Sequence, residues 1–309
     1  MSTLSSSVLR TWDGNSQSYD AAVHAFIAMQ LIGVGGLTII TLTAAFSRSV
    51  KRLSTWYSFC ASWIISGISY SLLTLAGQQT GPEPAHTLCV AQAALIYAVP
   101  PLTASTTLAL VIHMLMNFRF ILSETAFQTS AITLTVLLVT PYSIWLVIFV
   151  GVVAFEAENP GTVRRAPKGT YCDSTMEAWS KIASISVVSI SAVIVVIQTW
   201  LAFRLYRNQQ TITSGSHWRT TVIRVMVFSF LGVLALAVAV AYAITSQHDQ
   251  AFDLLLASLP VLAVLIFGTQ MDLVRVWAFW RYYTLVPVQS NKSLLSMRSY
   301  ASVPTQEGL

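Results

Sequence analysis

Three cysteines carry the most definite chemistry in this sequence, and two of them lie close to polar residues. Cys172 belongs to the polar stretch GTYCDS at residues 169–174, and Cys89 lies near the start of the third apolar segment. Cys60 lies inside an apolar segment, where a thiol behaves as a small buried apolar side chain. Disulfides persist in oxidising compartments, so the chemistry of Cys89 and Cys172 depends on which side of a membrane they face.

The other reactive side chains form no recognisable catalytic or metal site. The five histidines are scattered, and no two have the helical spacing of metal ligands. The acidic residues fall in tails, in loops or near the ends of apolar segments, whereas proton and ion relays place ionisable groups inside a membrane bundle. The sequence therefore predicts no enzyme, no metal and no cofactor, and it disfavours proton-coupled transport. An intramembrane enzyme with an unrecognised site is the alternative.

The elements that position these residues are membrane-spanning helices. Hydrophobic residues make up 55% of the chain, charged residues 9%, and the mean hydropathy is +0.66, which leaves too few charges to cover a soluble globule. A helix spans about 30 Å of hydrocarbon with roughly 20 apolar residues. Seven segments meet this requirement, near residues 21–46, 56–77, 87–116, 129–154, 179–205, 220–245 and 252–274.

The predicted architecture is an all-α bundle of seven transmembrane helices that occupies residues 21–284. Residues 1–20 form a polar N-terminal tail without a cleaved signal peptide, and residues 285–309 form a Ser-rich C-terminal tail. The chain is predicted to be a multi-pass protein of the plasma membrane.

The distribution of cations orients the bundle. Of the seventeen lysines and arginines, twelve lie near the loops after odd-numbered spans or in the C-terminal tail, and five lie on the other side. Positively charged loops stay cytoplasmic, so the N-terminus is predicted outside and the C-terminus inside. The net charge of +5 is therefore explained by the lipid bilayer and not by nucleic acid.

This orientation places Cys89 and Cys172 together on the oxidising, outer side. It predicts a Cys89–Cys172 disulfide that holds the loop between spans 4 and 5 across the mouth of the bundle. Two separate thiols are the alternative.

Seven helices, an outer N-terminus and these two cysteines resemble a G-protein-coupled receptor, and the resemblance covers the full bundle. Asn117-Phe118-Arg119 supplies the arginine of the family's acid-Arg-aromatic triplet without the acid, and Pro260 lies in the outer half of span 7. Span 7 has no lysine that would hold retinal, as an opsin would need. These departures argue against the rhodopsin-like class.

The stretch FGTQMDLVRVWAFWR at residues 267–281 is similar to the endings of poorly characterised fungal seven-helix receptor-like proteins. The resemblance implies a receptor that senses an unknown extracellular ligand and signals to a cytoplasmic heterotrimeric G protein. The alternatives are a membrane carrier or channel for a small neutral solute, and a membrane scaffold that does not signal.

Polar and aromatic residues in the outer halves of the spans predict a mostly apolar ligand pocket beneath the outer loop. The aromatic residues have an alternative place in an interfacial belt, and Lys181 can snorkel to the outer interface. The pocket residues are Tyr70, Gln92, Tyr97, Trp145, Trp179, Lys181, Tyr242 and Asp253.

On the inner side, cations flank the mouth into which a G protein would insert a helix, although contact with anionic lipid accounts for them equally well. Asp272 and Arg275 are three residues apart at the end of span 7 and predict a local ion pair, with a clasp to Arg119 as the alternative. The predicted G-protein-facing residues are Arg119, Arg204, Arg207, Arg219, Arg224, Asp272 and Arg275.

After span 7, residues 276–283 are aromatic and basic and predict a short helix along the inner interface. The tail then carries hydroxyls at a spacing of three, which predicts phosphorylation that would turn a basic tail acidic, with a merely disordered tail as the alternative. These hydroxyls belong to Ser290, Ser293, Ser296, Ser299, Ser302 and Thr305.

Overall fold

The structure is a computed structural model that describes residues 3–47, 50, 52–79, 82–123, 130–159, 161–165, 170–207, 223–234, 237 and 250–278. The helices are α1 (Thr3–Phe46), α2 (Ser54–Tyr70), α3 (Leu72–Leu75), α4 (His86–Ser123), α5 (Ala131–Glu158), α6 (Glu177–Arg207), α7 (Ile223–Leu234), α8 (Gln250–Gly268) and α9 (Met271–Trp277). Two short strands, β1 (Val163–Arg165) and β2 (Cys172–Ser174), lie between α5 and α6. The predicted all-α bundle is confirmed.

Among the described residues, four helices are long and apolar enough to cross a membrane, or five if α8 and α9 are counted as one bent span. The second predicted span is divided at Ser71 into α2 and α3, and α7 covers part of the sixth. The helix α1 begins at Thr3, so it extends through most of the stretch predicted as an N-terminal tail.

The seventh predicted span ends earlier than its hydrophobicity suggested. The helix α8 stops at Gly268, and α9 begins at Met271 with its axis turned by 80°. Gln270 between them has an extended backbone, with φ −70° and ψ 131°, which interrupts the helix. Asp272 and Arg275 therefore lie on the short helix α9 and not on the last turn of span 7. Of the predicted interfacial helix over residues 276–283, residues 276 and 277 belong to α9 and residues 279–283 lie outside the described chain, so its place along the inner interface stays a prediction.

The helices α1 and α8 approach each other closely because two glycines lie between them. A β carbon added at Gly33 would lie 2.5 Å from the Cβ of Pro260, and one at Gly36 would lie 2.6 Å from a methyl carbon of Val264. Small residues at such contacts let membrane helices pack backbone to backbone.

The helix α4 lies at the centre of the bundle. In its most apolar stretch 72% of the residues are buried, compared with 11% in that of α5 and 17% in that of α6. Pro100 and Pro101 lie inside α4 without ending it. Downstream hydroxyls donate to its backbone carbonyls, such as Thr103 to Pro100 at 3.0 Å and Thr107 to Thr103 at 2.6 Å. These hydroxyl groups thus find their hydrogen-bond acceptors within the helix itself.

Candidate functional site

The antiparallel strands β1 and β2 form a hairpin that covers one end of the bundle, here called the hairpin end. A disulfide joins Cys172 of β2 to Cys89 at the start of α4, with 5.3 Å between the two Cα atoms, so the predicted bridge is confirmed. Cys60 is buried in the core, as predicted. The amide of Gln92 reinforces the bridge: its Oε1 accepts from the Cys172 backbone N–H at 2.9 Å, and its Nε2 donates to the Ser69 carbonyl at 3.2 Å.

A buried carboxylate holds the hairpin to α5. Glu156 has no exposed surface and accepts a hydrogen bond from the Ser174 hydroxyl at 2.6 Å and another from the Thr162 hydroxyl. Arg165 of β1 holds the hairpin to the chain before α4, because its side chain donates to the Pro82 carbonyl at 2.6 Å. This role of Glu156 could not be predicted from the sequence, because its partners lie on a hairpin whose register is visible only in three dimensions.

A cavity of about 800 Å³ lies beneath the hairpin, between α1, α2, α4, α6, α7 and α8. Its size matches pockets that enclose small organic ligands. Of the residues predicted for a pocket, Tyr70, Tyr97 and Asp253 line it.

The mouth of the cavity combines carboxylates with aromatic rings. Tyr171 of the hairpin donates to the Asp253 carboxylate at 3.4 Å, and its ring lies 5.9 Å from that of Tyr70. Phe26 packs edge-on against Tyr70, also at 5.9 Å. Burial, followed by the negative charge of Asp253, raises the pKa of Tyr171 well above its ordinary value, so this phenol stays neutral. On β2, Asp173 accepts a hydrogen bond from Tyr97.

Three residues that line the cavity carry a polar atom that has no hydrogen-bond partner among the described residues. These atoms are the Oε1 of Gln30, the indole N–H of Trp63 and the hydroxyl of Ser229, whose residues are 1%, 9% and 5% exposed. The three atoms have almost no accessible surface, so they do not face the open space of the cavity. Sequence reasoning missed all three.

The remaining predicted pocket residues do not line the described cavity. Trp145 stacks on Phe149 and Trp179 packs edge-on against Phe155, while Lys181 pairs with Glu177 at 2.7 Å in exposed positions. Gln92 supports the hairpin instead, and Tyr242 lies outside the described residues.

At the opposite end, Asp272 pairs with Arg52 at 2.6 Å, and the side chains are 17% and 4% exposed. The predicted local pair of Asp272 with Arg275 is therefore wrong, because the bend before α9 directs Asp272 towards the α1–α2 connection. Arg224 of α7 bridges to the bend itself, donating to the Thr269 hydroxyl at 2.9 Å and carbonyl at 3.0 Å.

The remaining residues that were predicted to face a G protein are Arg119, Arg204, Arg207, Arg219 and Arg275. Arg204 lies over the ring of Trp200 at 5.0 Å, and Arg207 and Arg275 are exposed. Arg119 belongs to α4, but its side chain lies outside the described part of the chain. Arg219 and the hydroxyls predicted for phosphorylation also fall outside it.

An aromatic cluster joins the floor of the cavity to the Arg52–Asp272 pair. Trp63 and Phe228, which line the cavity, have ring centroids 5.5 Å apart. Phe228 lies 5.8 Å from Phe267, and Phe267 lies 6.4 Å from Trp56. Arg52 then lies over the Trp56 ring at 5.6 Å. Contacts between side chains thus run without interruption from one end of the bundle to the other.

The fold resembles that of a rhodopsin. The crystal structure of squid rhodopsin matches this chain with a TM-score of 0.62, over 95% of this chain and 89% of that chain, at 8% sequence identity. No protein-family model and no curated protein matches the sequence. At such low identity the likeness shows the fold alone, that of a rhodopsin-like helical bundle in a multi-pass membrane protein. The predicted likeness to fungal receptor-like proteins stays a prediction.

Proposed function

We propose that this chain is a receptor of the plasma membrane, which binds a small extracellular ligand and signals to a cytoplasmic G protein. The observation that supports this function is the cavity beneath the disulfide-held hairpin, whose floor connects through the aromatic cluster to the opposite end. An open channel would need a route for solute through both ends. At the end opposite the hairpin, Arg224 ties α7 to the bend between α8 and α9, and Arg52 ties the α1–α2 connection to Asp272 of α9.

The proposed mechanism is a shift between two packings of the bundle. A ligand changes the populations of two states only if it binds them with different affinities. A ligand that contacts Trp63 or Phe228 achieves this when the rings of the aromatic cluster pack differently in the two states. Repacking at Phe267 and Trp56 then strains the ion pair of Arg52 with Asp272, which opens the cytoplasmic mouth.

The test is capture of Gα subunits by the purified, disulfide-intact protein, with and without a non-hydrolysable GTP analogue. We expect capture that the analogue releases and that Arg119→Ala weakens. Arg164→Ala is the matched control, since it removes an exposed arginine from the hairpin. If no Gα subunit is captured in the presence of extracts that contain candidate ligands, the receptor proposal fails. Solute flux into liposomes would then test the carrier reading.

A further inference from the structure

The charges that line the cavity have a single sign. Among the described lining residues, the charged ones are Asp173, Glu177 and Asp253, and no lysine, arginine or histidine joins them. A cavity walled by one sign of charge and by low-dielectric side chains attracts ligands of the opposite sign. The lining therefore disfavours carboxylate and phosphate ligands.

The three carboxylates are not equivalent. Glu177 forms an exposed ion pair with Lys181. Asp173 accepts from Tyr97 and from the Ser174 backbone N–H, and Arg164 lies opposite it in the strand ladder. Asp253 lies in the first turn of α8, beside the rings of Tyr171 and Tyr70.

The surroundings of Asp253 suit an organic cation. Aromatic faces attract ammonium groups through their quadrupole, and the attraction is larger at sites shielded from water. A carboxylate next to such rings adds a charge-assisted hydrogen bond or a direct Coulomb attraction.

We infer that the cavity binds a small organic ammonium ion, with its charged group between Asp253 and the rings of Tyr70 and Tyr171. This inference deepens the proposed receptor function and rests on it for its biological meaning. The binding chemistry itself requires no G protein.

Binding is tested with pairs of probes that differ in charge: benzyltrimethylammonium against neopentylbenzene, and phenethylammonium against 2-phenylethanol. Affinities are measured by the concentration dependence of the thermal unfolding midpoint of the purified protein, with protein-free micelles correcting for partition into detergent. We expect each cation to bind the unmutated protein at least about tenfold more tightly than its neutral counterpart. Asp253→Asn should remove most of this preference, whereas Glu158→Gln, which changes an exposed carboxylate outside the cavity lining, should retain it.

Equal binding of cation and neutral probe by the unmutated protein overturns the inference, and that comparison does not depend on whether any variant folds. A charge preference that survives in a folded Asp253→Asn variant also overturns it. Gα capture is measured on the same preparations. Charge preference without Gα capture leaves the ligand class standing and rejects the receptor, whereas Gα capture without charge preference does the reverse.

Discussion

The bond between Cys89 and Cys172 decides how firmly the hairpin closes the cavity. It links residues separated by 83 positions, and closing a loop of that length stabilises a folded chain by about 4 kcal/mol in the loop-entropy description. We expect Cys172→Ser to lower the thermal unfolding midpoint of the purified protein and to remove its sensitivity to dithiothreitol.

Cys60→Ala is the control, because that thiol is buried and outside the bridge. Its midpoint should still fall when dithiothreitol is added. A Cys172→Ser protein that melts like the unmutated chain would show that the hydrogen bonds that the hairpin donates to Gln92 and Glu156 hold it without the bridge.

The role of a single residue could be predicted where the chain has few residues of its type. Cys89 lies near the start of its apolar segment and Cys172 in a polar loop, whereas Cys60 lies well inside a segment, so the pairing followed from the membrane orientation. Gln30 and Ser229 could not be selected, because an amide or hydroxyl in an apolar segment looks the same whether it bonds its own helix or lines a cavity. Only the arrangement of neighbouring helices distinguishes the two.

At the scale of elements, the contact between α1 and α8 depends on the absence of side chains. We expect Gly33→Ala to destabilise the protein by about 1–3 kcal/mol, because its methyl group would lie 2.5 Å from Pro260, whose backbone cannot easily move. The thermal unfolding midpoint measures the effect.

The matched control is Gly35→Ala in the same helix, where an added methyl group meets no atom within 4 Å. This change should leave the midpoint unchanged or raise it slightly, since alanine favours the helix by up to about 1 kcal/mol. Equal destabilisation by both substitutions would mean that helix flexibility and not close packing explains the glycines.

The positions of the helices could be predicted from hydrophobicity, but the end of α8 could not. Apolar residues continue beyond Gly268, so a hydrophobic window carries the span to residue 274. The chain instead turns by 80° at Thr269 and Gln270, where Arg224 of α7 binds the exposed carbonyl of Thr269. The local signal for this end is weak: Gly268 is followed by the polar Thr269 and Gln270, but a glycine also occurs inside membrane helices, and the contact with Arg224 comes from 45 positions away.

At the scale of the whole molecule, the Arg52–Asp272 pair belongs to the resting arrangement in the proposed mechanism. Because its side chains are 4% and 17% exposed, removing one partner leaves a poorly solvated charge, at a cost of about 3–5 kcal/mol. We expect Asp272→Asn to lower the unfolding midpoint and to raise ligand-independent Gα capture.

The double variant Arg52→Asp with Asp272→Arg tests the pair itself. A recovery beyond the sum of the single effects assigns the change to their interaction. Glu158→Gln is the control, since it changes an exposed carboxylate outside the cavity lining and should alter neither measurement. Reduced Gα capture by Asp272→Asn would place the pair in the active arrangement instead.

The link between Cys89 and Cys172 also constrains biosynthesis. Cys89 is translated 83 residues before its partner, so it must wait through the insertion of α4 and α5 before Cys172 is translocated. The bridge can form only once both thiols reach an oxidising compartment. A cell that inserts the chain without thiol oxidation would therefore accumulate a threaded bundle whose hairpin is held by hydrogen bonds alone. Production of competent protein depends on the secretory route as much as on the membrane.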